Sequence, residues 1–292
     1  NLIPADTVSA WPKPSPAASL IMPQPFSSDA PIGVFDSGLG GLTVVKEITH
    51  ALPNERVVYF GDTARVPYGT KSKETIIRFS TQIVTILLKY KVKMVVVACN
   101  TASSLALEAI QRKFSVPIVG VIEPGARKAA VSTRNKKVGI IATQSTIKSG
   151  RYVSKILELD GRITVTSKAC PLFVPLVEEG WFDHPVTVSV AQEYLKDMKR
   201  AKVDTLILGC THYPLLKGVL GRVIGPKVNL VDSATEVAGA VKDILVRKGL
   251  LRMALKPPSH TFLVSDEPEL FKCLAARFLG NSVKNVQRYR DV

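Results

Sequence analysis

Two cysteines occupy the same place in two similar stretches of the chain. Cys99 follows a run of apolar residues in Lys93–Thr101, and Cys210 follows another in Asp204–His212. Small polar residues that can begin a helix come directly after each. A thiol in such a place can serve as a base, an acid or a nucleophile. A lone cysteine is usually a small buried apolar residue, but two in matching positions favour a shared chemical role.

The elements that must position these cysteines follow from the apolar pattern. Short, almost continuous apolar runs predict buried parallel strands at Ile32–Phe35, Val57–Gly61, Met94–Ala98, Ile118–Val121, Val138–Ile141, Ile163–Ser167, Thr205–Leu208 and Asn229–Val231. Amphipathic stretches predict helices at Gly41–Ala51, Ser72–Lys91, Ala102–Lys113, Ile147–Leu159, Val186–Lys199 and Ala234–Lys248. This alternation of strands and helices is typical of an α/β fold.

A second repeated segment indicates an internal duplication. Ile32–Ser37 resembles Val138–Thr143 in its apolar strand and polar turn, just as the two cysteine segments resemble each other. Parallel sheets bind ligands at the carboxyl ends of their strands, where both cysteines fall. We therefore predict two similar α/β domains with mainly parallel sheets flanked by helices, and an active site in the cleft between them. Residues 31–126 and 233–292 are expected to form the first domain, and residues 127–232 the second.

The composition is that of a globular enzyme. With 292 residues, of which 46% are hydrophobic, the chain can bury a substantial core. Its four cysteines include no Cys-x-x-Cys pair, which argues against a zinc site or disulfide framework and favours reduced thiols in the cytoplasm. No apolar run is long enough to span a membrane. Residues 1–30 lack the pattern of a secretory signal and are predicted to be a flexible leader or a remnant of cloning.

The net charge leaves a different class of function open. A formal charge of +15 can attract nucleic acid, anionic membranes or small anions. The densest basic stretch, Arg127–Lys155, has eight Lys or Arg residues and no acid, yet its one aromatic residue is Tyr152. We interpret it as solvated helix and loop faces, with binding of nucleic acid or a protein partner as the alternative.

Several ordered motifs between Pro31 and about Glu236 resemble those of the glutamate racemases, in the cofactor-independent aspartate/glutamate racemase family. The motifs are Phe35–Gly41, Gly61–Gly69, Ala98–Ala102, Gly120–Gly125, Cys170–Glu178 and Gly209–Leu216. The resemblance implies interconversion of L- and D-glutamate without cofactor or metal, supplying D-glutamate for peptidoglycan synthesis. It also implies a cytoplasmic homodimer with no nucleic-acid or membrane partner, and a terminal helix beyond Glu236.

The resemblance implies a role for each matching residue. Cys99 would deprotonate D-glutamate and Cys210 L-glutamate, each working on its own side of the substrate carbon. Asp36 on the Cys99 side and His212 on the Cys210 side are the expected auxiliary catalytic groups. The residues expected to bind substrate are Asp36, Ser37, Pro67, Tyr68, Gly69, Asn100, Thr101, Thr143, Thr146, Glu178, Thr211 and His212. Asp62 also matches an acidic position of the family's site.

The thiols need help to ionise, because an unperturbed cysteine has a pKa of about 8.5. We expect this help from helix N-termini that follow Cys99 and Cys210. The alternative enzyme is a cysteine hydrolase or amidase that pairs one thiol with His212, and the duplicated cysteine argues against it. Cys170 and Cys273 are interpreted as structural cysteines.

Overall fold

The computed structural model describes residues 26–254, 256–280 and 283–290. Its strands are β1 (Ile32–Asp36), β2 (Val57–Gly61), β3 (Met94–Val97), β4 (Ile118–Gly120), β5 (Lys137–Ala142), β6 (Thr164–Ala169), β7 (Thr205–Gly209), β8 (Asn229–Asp232), β9 (Thr261–Val264) and β10 (Val286–Arg288). Every pairing between these described strands is parallel. The predicted strands are therefore confirmed, to within two residues at their ends.

The α-helices connect and cover the strands. They are α1 (Leu42–Ala51), α2 (Lys73–Lys89), α3 (Asn100–Leu105), α4 (Leu107–Lys113), α5 (Ile122–Ser132), α6 (Gln144–Lys148), α7 (Arg151–Leu159), α8 (Phe173–Glu178), α9 (Pro185–Tyr194), α10 (Lys196–Ala201), α11 (Lys217–Ile224), α12 (Ser233–Arg247) and α13 (Pro268–Leu279). Three predicted helices are each divided into two, at Ala106, Gly150 and Leu195. Gly150 adopts the left-handed conformation, with φ of 66°, which ends one helix before the next begins. Within the described ranges, no helix has both the length and the apolar character needed to cross a membrane.

The strands form two sheets with a common plan. The first has the order β10-β9-β2-β1-β3-β4, and the second the order β6-β5-β7-β8. The run β2-β1-β3-β4 thus repeats as β6-β5-β7-β8, which confirms the duplication and the α/β class with parallel sheets. Cys99 follows β3 and Cys210 follows β7, so the two cysteines hold equivalent places in the two sheets.

The first sheet takes strands from both parts of the chain. β9 pairs with β2, and β10 pairs with β9, so the segment after α12 returns to the first half. The sequence led us to expect only a terminal helix here, and α13 is that helix. The strands β9 and β10 are additional, with only four and three residues, and β9 lies inside the sheet between β10 and β2. The domain boundaries at residues 126 and 233 stay a prediction, and most of the predicted leader, residues 1–25, lies outside the described residues.

A buried ion pair holds the segment after α12 against the first sheet. Lys93 precedes β3 and is fully buried, and its Nζ lies 2.6 Å from Oε2 of Glu55. The same Nζ donates hydrogen bonds to the carbonyl oxygens of Ser28, at 2.6 Å, and Leu250, at 2.8 Å. Burial lowers the pKa of Lys93, and the Glu55 carboxylate acts in the opposite direction. The pair therefore joins both outer segments of the chain to one central strand.

Replacing Lys93 with Met should lower the free energy of unfolding by about 3–5 kcal/mol, because Glu55 would keep a buried charge without its partner. Urea unfolding followed by circular dichroism measures the change. The double variant Lys93→Met/Glu55→Leu removes both charges and should recover part of the loss. A single variant as stable as the parent chain would contradict this role for the pair.

Candidate active site

A cavity of about 300 Å³ lies between the carboxyl edges of the two sheets. Residues from both sheets line it: Ser37, Val66, Pro67, Tyr68, Gly69, Cys99, Asn100, Thr101, Thr143, Val174, Pro175, Glu178, Cys210, Thr211 and His212. The two cysteines thus reach one site from different sheets. This is the arrangement that the equivalent strand ends predicted.

Two of the predicted substrate ligands, Asp36 and Thr146, do not border the cavity. Asp36 is fully buried, and its carboxylate accepts hydrogen bonds from the Gly38 amide, at 3.1 Å, and the Thr211 hydroxyl, at 3.4 Å. Thr146 hydrogen-bonds the hydroxyl of Thr143 at 3.0 Å. Both residues therefore support groups that border the cavity, and neither is itself part of the lining.

Sequence reasoning missed three apolar residues of the lining, namely Val66, Val174 and Pro175. They lie inside two motifs that had been singled out, Gly61–Gly69 and Cys170–Glu178. An apolar side chain carries no chemical signal of its own in the sequence. Their position inside these two motifs was the one signal in the sequence that could have identified them as lining residues.

Cys99 is a thiol in a buried and electronegative environment. It lies at the N-terminus of α3, and its Sγ is 3.9 Å from Oγ of Ser37. Burial raises the pKa of Cys99 to about 12, and the Asp36 carboxylate adds to this effect. The backbone amide of Ala102, in the first turn of α3, lowers the pKa. The expected contribution of the helix is thus present, but burial outweighs it.

Cys210 faces a positive charge. Its Sγ is 3.8 Å from Nδ1 of His212, whose Nε2 is 3.0 Å from Oε1 of Glu178. Burial acts to lower the pKa of His212, but the hydrogen bonds to Cys210 and Glu178 outweigh it and raise the pKa to about 10. These partners therefore favour the charged form of His212. The chain after Cys210 enters the 3-10 helix Tyr213–Leu216, so the expected α-helix does not begin there.

The two sides of the cavity consequently differ in charge. Cys99 lies close to the Asp36 carboxylate, and Cys210 lies close to the His212 imidazolium. Burial raises the pKa of Asp36, whereas the His212 charge and the surrounding amides lower it. The two auxiliary groups thus stabilise each other's charged forms while each acts on the nearer thiol.

Hydroxyl groups connect the two halves at the cavity wall. Thr101, from the first half, hydrogen-bonds the hydroxyls of Thr143, at 2.9 Å, and Thr146, at 3.3 Å. Ser145 donates a hydrogen bond to the carbonyl oxygen of Gly69 at 2.7 Å. Of these residues, Thr101 and Thr143 line the cavity, and their hydroxyls can donate to an anionic oxygen in it.

Asp62 supports the cavity from behind. The hydroxyl of Tyr68, a lining residue, donates a hydrogen bond to Oδ2 of Asp62. The other oxygen, Oδ1, accepts from the Ser265 hydroxyl at 3.0 Å, and Arg65 completes the cluster with Nε 2.7 Å from Oδ2. Because Ser265 follows β9, the returning C-terminal segment helps to hold the Tyr68 loop.

The remaining cysteines differ from each other. Cys170 is buried, and the hydroxyl of Tyr213 donates a hydrogen bond to its carbonyl oxygen at 2.8 Å. Cys273 is exposed on α13. The interpretation as a structural cysteine therefore fits Cys170, and it does not fit Cys273.

The two-sheet fold and the thiols on either side of its cavity place the chain in the class of α/β racemases. A family model described as Asp/Glu/hydantoin racemase matches residues 32–241. The chain belongs to this family, and it is accordingly an enzyme of the isomerase type.

Individual relatives agree with this assignment. The chain is 54% identical over 255 residues to a glutamate racemase of Geobacter metallireducens, a match that covers 87% of this chain and 94% of that protein. It is similar to the crystal structure of a glutamate racemase from Bacillus anthracis, with 39% identity, a TM-score of 0.87, and 90% of this chain and 98% of that chain covered. A structure from Francisella tularensis, of a glutamate racemase in complex with D-glutamate, matches with 37% identity, a TM-score of 0.84 and the same coverages of 90% and 98%.

Replacing Glu178 with Gln should lower the pKa of His212 below its value of about 10, because a neutral amide stabilises the imidazolium less than a carboxylate does. The imidazolium, present below the pKa, would then be lost at a lower pH. Titration of the histidine ring protons by NMR measures the midpoint. Glu179→Gln, which changes the neighbouring exposed carboxylate, is the control and should leave the midpoint in place. An unchanged midpoint in Glu178→Gln would rule out the carboxylate as the cause.

Proposed function

We propose that this enzyme interconverts L- and D-glutamate without a cofactor, using Cys99 and Cys210 on opposite sides of the substrate Cα atom. The observation that carries the proposal is that two buried thiols, from equivalent strand ends of duplicated sheets, line a single cavity. The relatives named glutamate racemase, and the related structure in complex with D-glutamate, support the choice of substrate.

The reaction removes one proton from the substrate Cα atom and adds another proton to the same atom. With D-glutamate, the Cys99 thiolate takes the Cα proton, and the Cys210 thiol delivers a proton to the opposite face. With L-glutamate the roles reverse. The electron pair of the broken C–H bond forms the new C–H bond, so each turnover exchanges the protonation states of the two cysteines.

The charges beside the thiols fit this exchange. The His212 imidazolium stabilises negative charge on Cys210, which suits that cysteine to act as the base towards L-glutamate. Cys99, with its pKa raised to about 12, is then the thiol that delivers the proton. For the reverse direction, the substrate ammonium group brings a positive charge into the cavity and favours the Cys99 thiolate.

Neutral donors are proposed to hold the two substrate carboxylates. The described lining contains no lysine or arginine, and its polar donors are Ser37, Asn100, Thr101 and Thr143, together with backbone amides such as that of Gly69. The hydroxyls of Tyr68 and Thr211 donate to Asp62 and Asp36. Pro67 and Glu178 complete the wall. Such donors orient carboxylates without adding a second large positive charge beside the thiols.

We also propose the cellular setting: the enzyme acts in the cytoplasm as a homodimer and supplies D-glutamate for peptidoglycan synthesis. The unpaired thiols of the described residues support the cytoplasmic location, and the homodimer and the role in peptidoglycan synthesis are what the family resemblance implies. Light scattering coupled to gel filtration should give twice the chain mass of 31.7 kDa. A monomeric mass under these conditions would contradict the dimer.

Circular dichroism provides the test of the reaction. Pure L-glutamate and pure D-glutamate should each lose their signal completely when the enzyme is added without any cofactor. Because the enantiomers have equal free energies, kcat/KM must be the same in both directions. A stable signal from glutamate would overturn the proposed function.

Replacing Cys99 or Cys210 with Ser should slow racemisation by about 10²- to 10⁴-fold, because a hydroxyl is a much poorer proton donor and acceptor at this carbon. The same circular dichroism assay measures the rate, and the melting temperature checks the fold. Cys273→Ser, at an exposed cysteine, is the matched control and should keep full activity. Full activity in either of the first two variants would contradict the two-thiol mechanism.

A further inference from the structure

Asn100 borders the cavity with one end of its side-chain amide engaged and the other end free. Its Oδ1 accepts a hydrogen bond from the Tyr152 hydroxyl at 2.7 Å. Its Nδ2 is buried and has no hydrogen-bond partner among the described residues. A buried donor without an acceptor costs about 1–3 kcal/mol, so such groups in native proteins usually have a missing partner. A molecule bound in the cavity is the natural partner for this one.

Tyr152 reaches Asn100 from the other half of the chain. It lies on α7 and is buried, and the Ser233 side chain at the start of α12 supplies a second hydrogen-bonding group to its hydroxyl. Two glycines leave room for the ring. A Cβ on Gly209 would lie 3.3 Å from Cε2 of Tyr152, and one on Gly125 would lie 3.4 Å from the hydroxyl oxygen. Gly125 ends the motif Gly120–Gly125, which the proton-transfer steps do not use, and Gly209 directly precedes Cys210.

The Tyr152 contact decides which end of the amide faces the substrate. The two ends of an asparagine amide have almost the same shape, so hydrogen bonds determine which way it is turned. A hydroxyl that donates to Oδ1 leaves the NH₂ group as the donor towards the cavity. The opposite orientation would present a carbonyl oxygen, which repels a carboxylate.

We propose that Tyr152 is a positioning residue that holds the Asn100 amide with its NH₂ group towards the substrate, where it donates to a carboxylate oxygen. The inference rests on the proposed function, because it takes the bound anion to be the substrate. Tyr152 itself does not border the cavity and acts only through Asn100. The second half of the chain thereby sets the binding geometry of a residue in the first half.

The variant Tyr152→Phe tests this role, because it keeps the ring and removes only the hydroxyl. With the amide free to turn, KM for both enantiomers should rise about tenfold, while kcat changes by less than about twofold. Since both enantiomers have equal free energies, kcat/KM must fall by the same factor in both directions. Tyr194→Phe, which removes a hydroxyl that accepts a hydrogen bond from the Leu172 amide away from the cavity, is the matched control and should leave KM unchanged. An unchanged KM in Tyr152→Phe would overturn the inference.

A double-mutant cycle separates positioning from a general loss of structure. In an Asn100→Ala background there is no amide to orient, so Tyr152→Phe should change KM by less than about twofold. The full tenfold effect in that background would overturn the inference. If Tyr152→Phe unfolds, Ser233→Ala replaces it in the same cycle, with an expected two- to threefold rise in KM only when Asn100 is present. An unchanged KM in that variant would again overturn it.

The wild-type enzyme separates this inference from the proposed function. If it racemises glutamate and Tyr152→Phe has an unchanged KM, only the positioning role fails. If the wild-type enzyme does not act on glutamate, both proposals fail together.

Discussion

Cys99 and Cys210 reach one cavity from two different sheets, and this placement constrains the rest of the fold. A parallel sheet brings the carboxyl ends of its strands to one edge, so thiols from one sheet would approach a bound molecule from a single side. Two sheets with the same strand order, facing each other, bring one thiol from each side. The duplicated order of strands is therefore the geometric origin of a site with two opposed thiols. The hydrogen bonds Thr101–Thr143 and Asn100–Tyr152 join the two halves of this site.

The backbone of the two halves is similar, but the charged groups beside the thiols are not. In the first sheet, β1 ends in Asp36, whereas the equivalent strand of the second sheet, β5, ends in Ala142. Conversely, the residue two positions after Cys210 is His212, and the residue two positions after Cys99 is Thr101. Each side of the cavity therefore carries one auxiliary charge, of opposite sign. Asp36 adds to the effect of burial in raising the pKa of Cys99, whereas Cys210 has the His212 ring beside it.

The sequence was sufficient for the parts of the fold that are buried on both faces. The strands β1, β2, β3, β5 and β7 are largely buried, and their continuous apolar and β-branched runs make them stand out in the sequence. The strands β9 and β10 have four and three residues and were missed, and among the described strands β10 pairs only with β9, which in turn pairs with β2, far away along the chain. The divided helices were also missed, since short interruptions such as Gly150 hardly disturb an amphipathic pattern.

The site was predictable to the extent that polar residues follow buried strands. Polar lining residues such as Ser37, Asn100 and His212 were recovered by that logic together with the family's motifs. The sequence did not predict the hydrogen bonds by which residues distant in the chain hold the site residues, such as Ser265 to Asp62 and Tyr152 to Asn100. These pairs form only when separate parts of the chain pack together, so neither residue type nor spacing predicts them.

The route of the chain delays the completion of the site. Residues of the second sheet are synthesised before β9, yet β9 and Ser265 belong to the first sheet and hold Asp62 and the Tyr68 loop. A nascent chain that has been synthesised as far as Cys210 therefore contains both thiols but lacks β9 and Ser265, which support one wall of the cavity. The order of synthesis alone keeps the finished geometry from existing before β9 has been made.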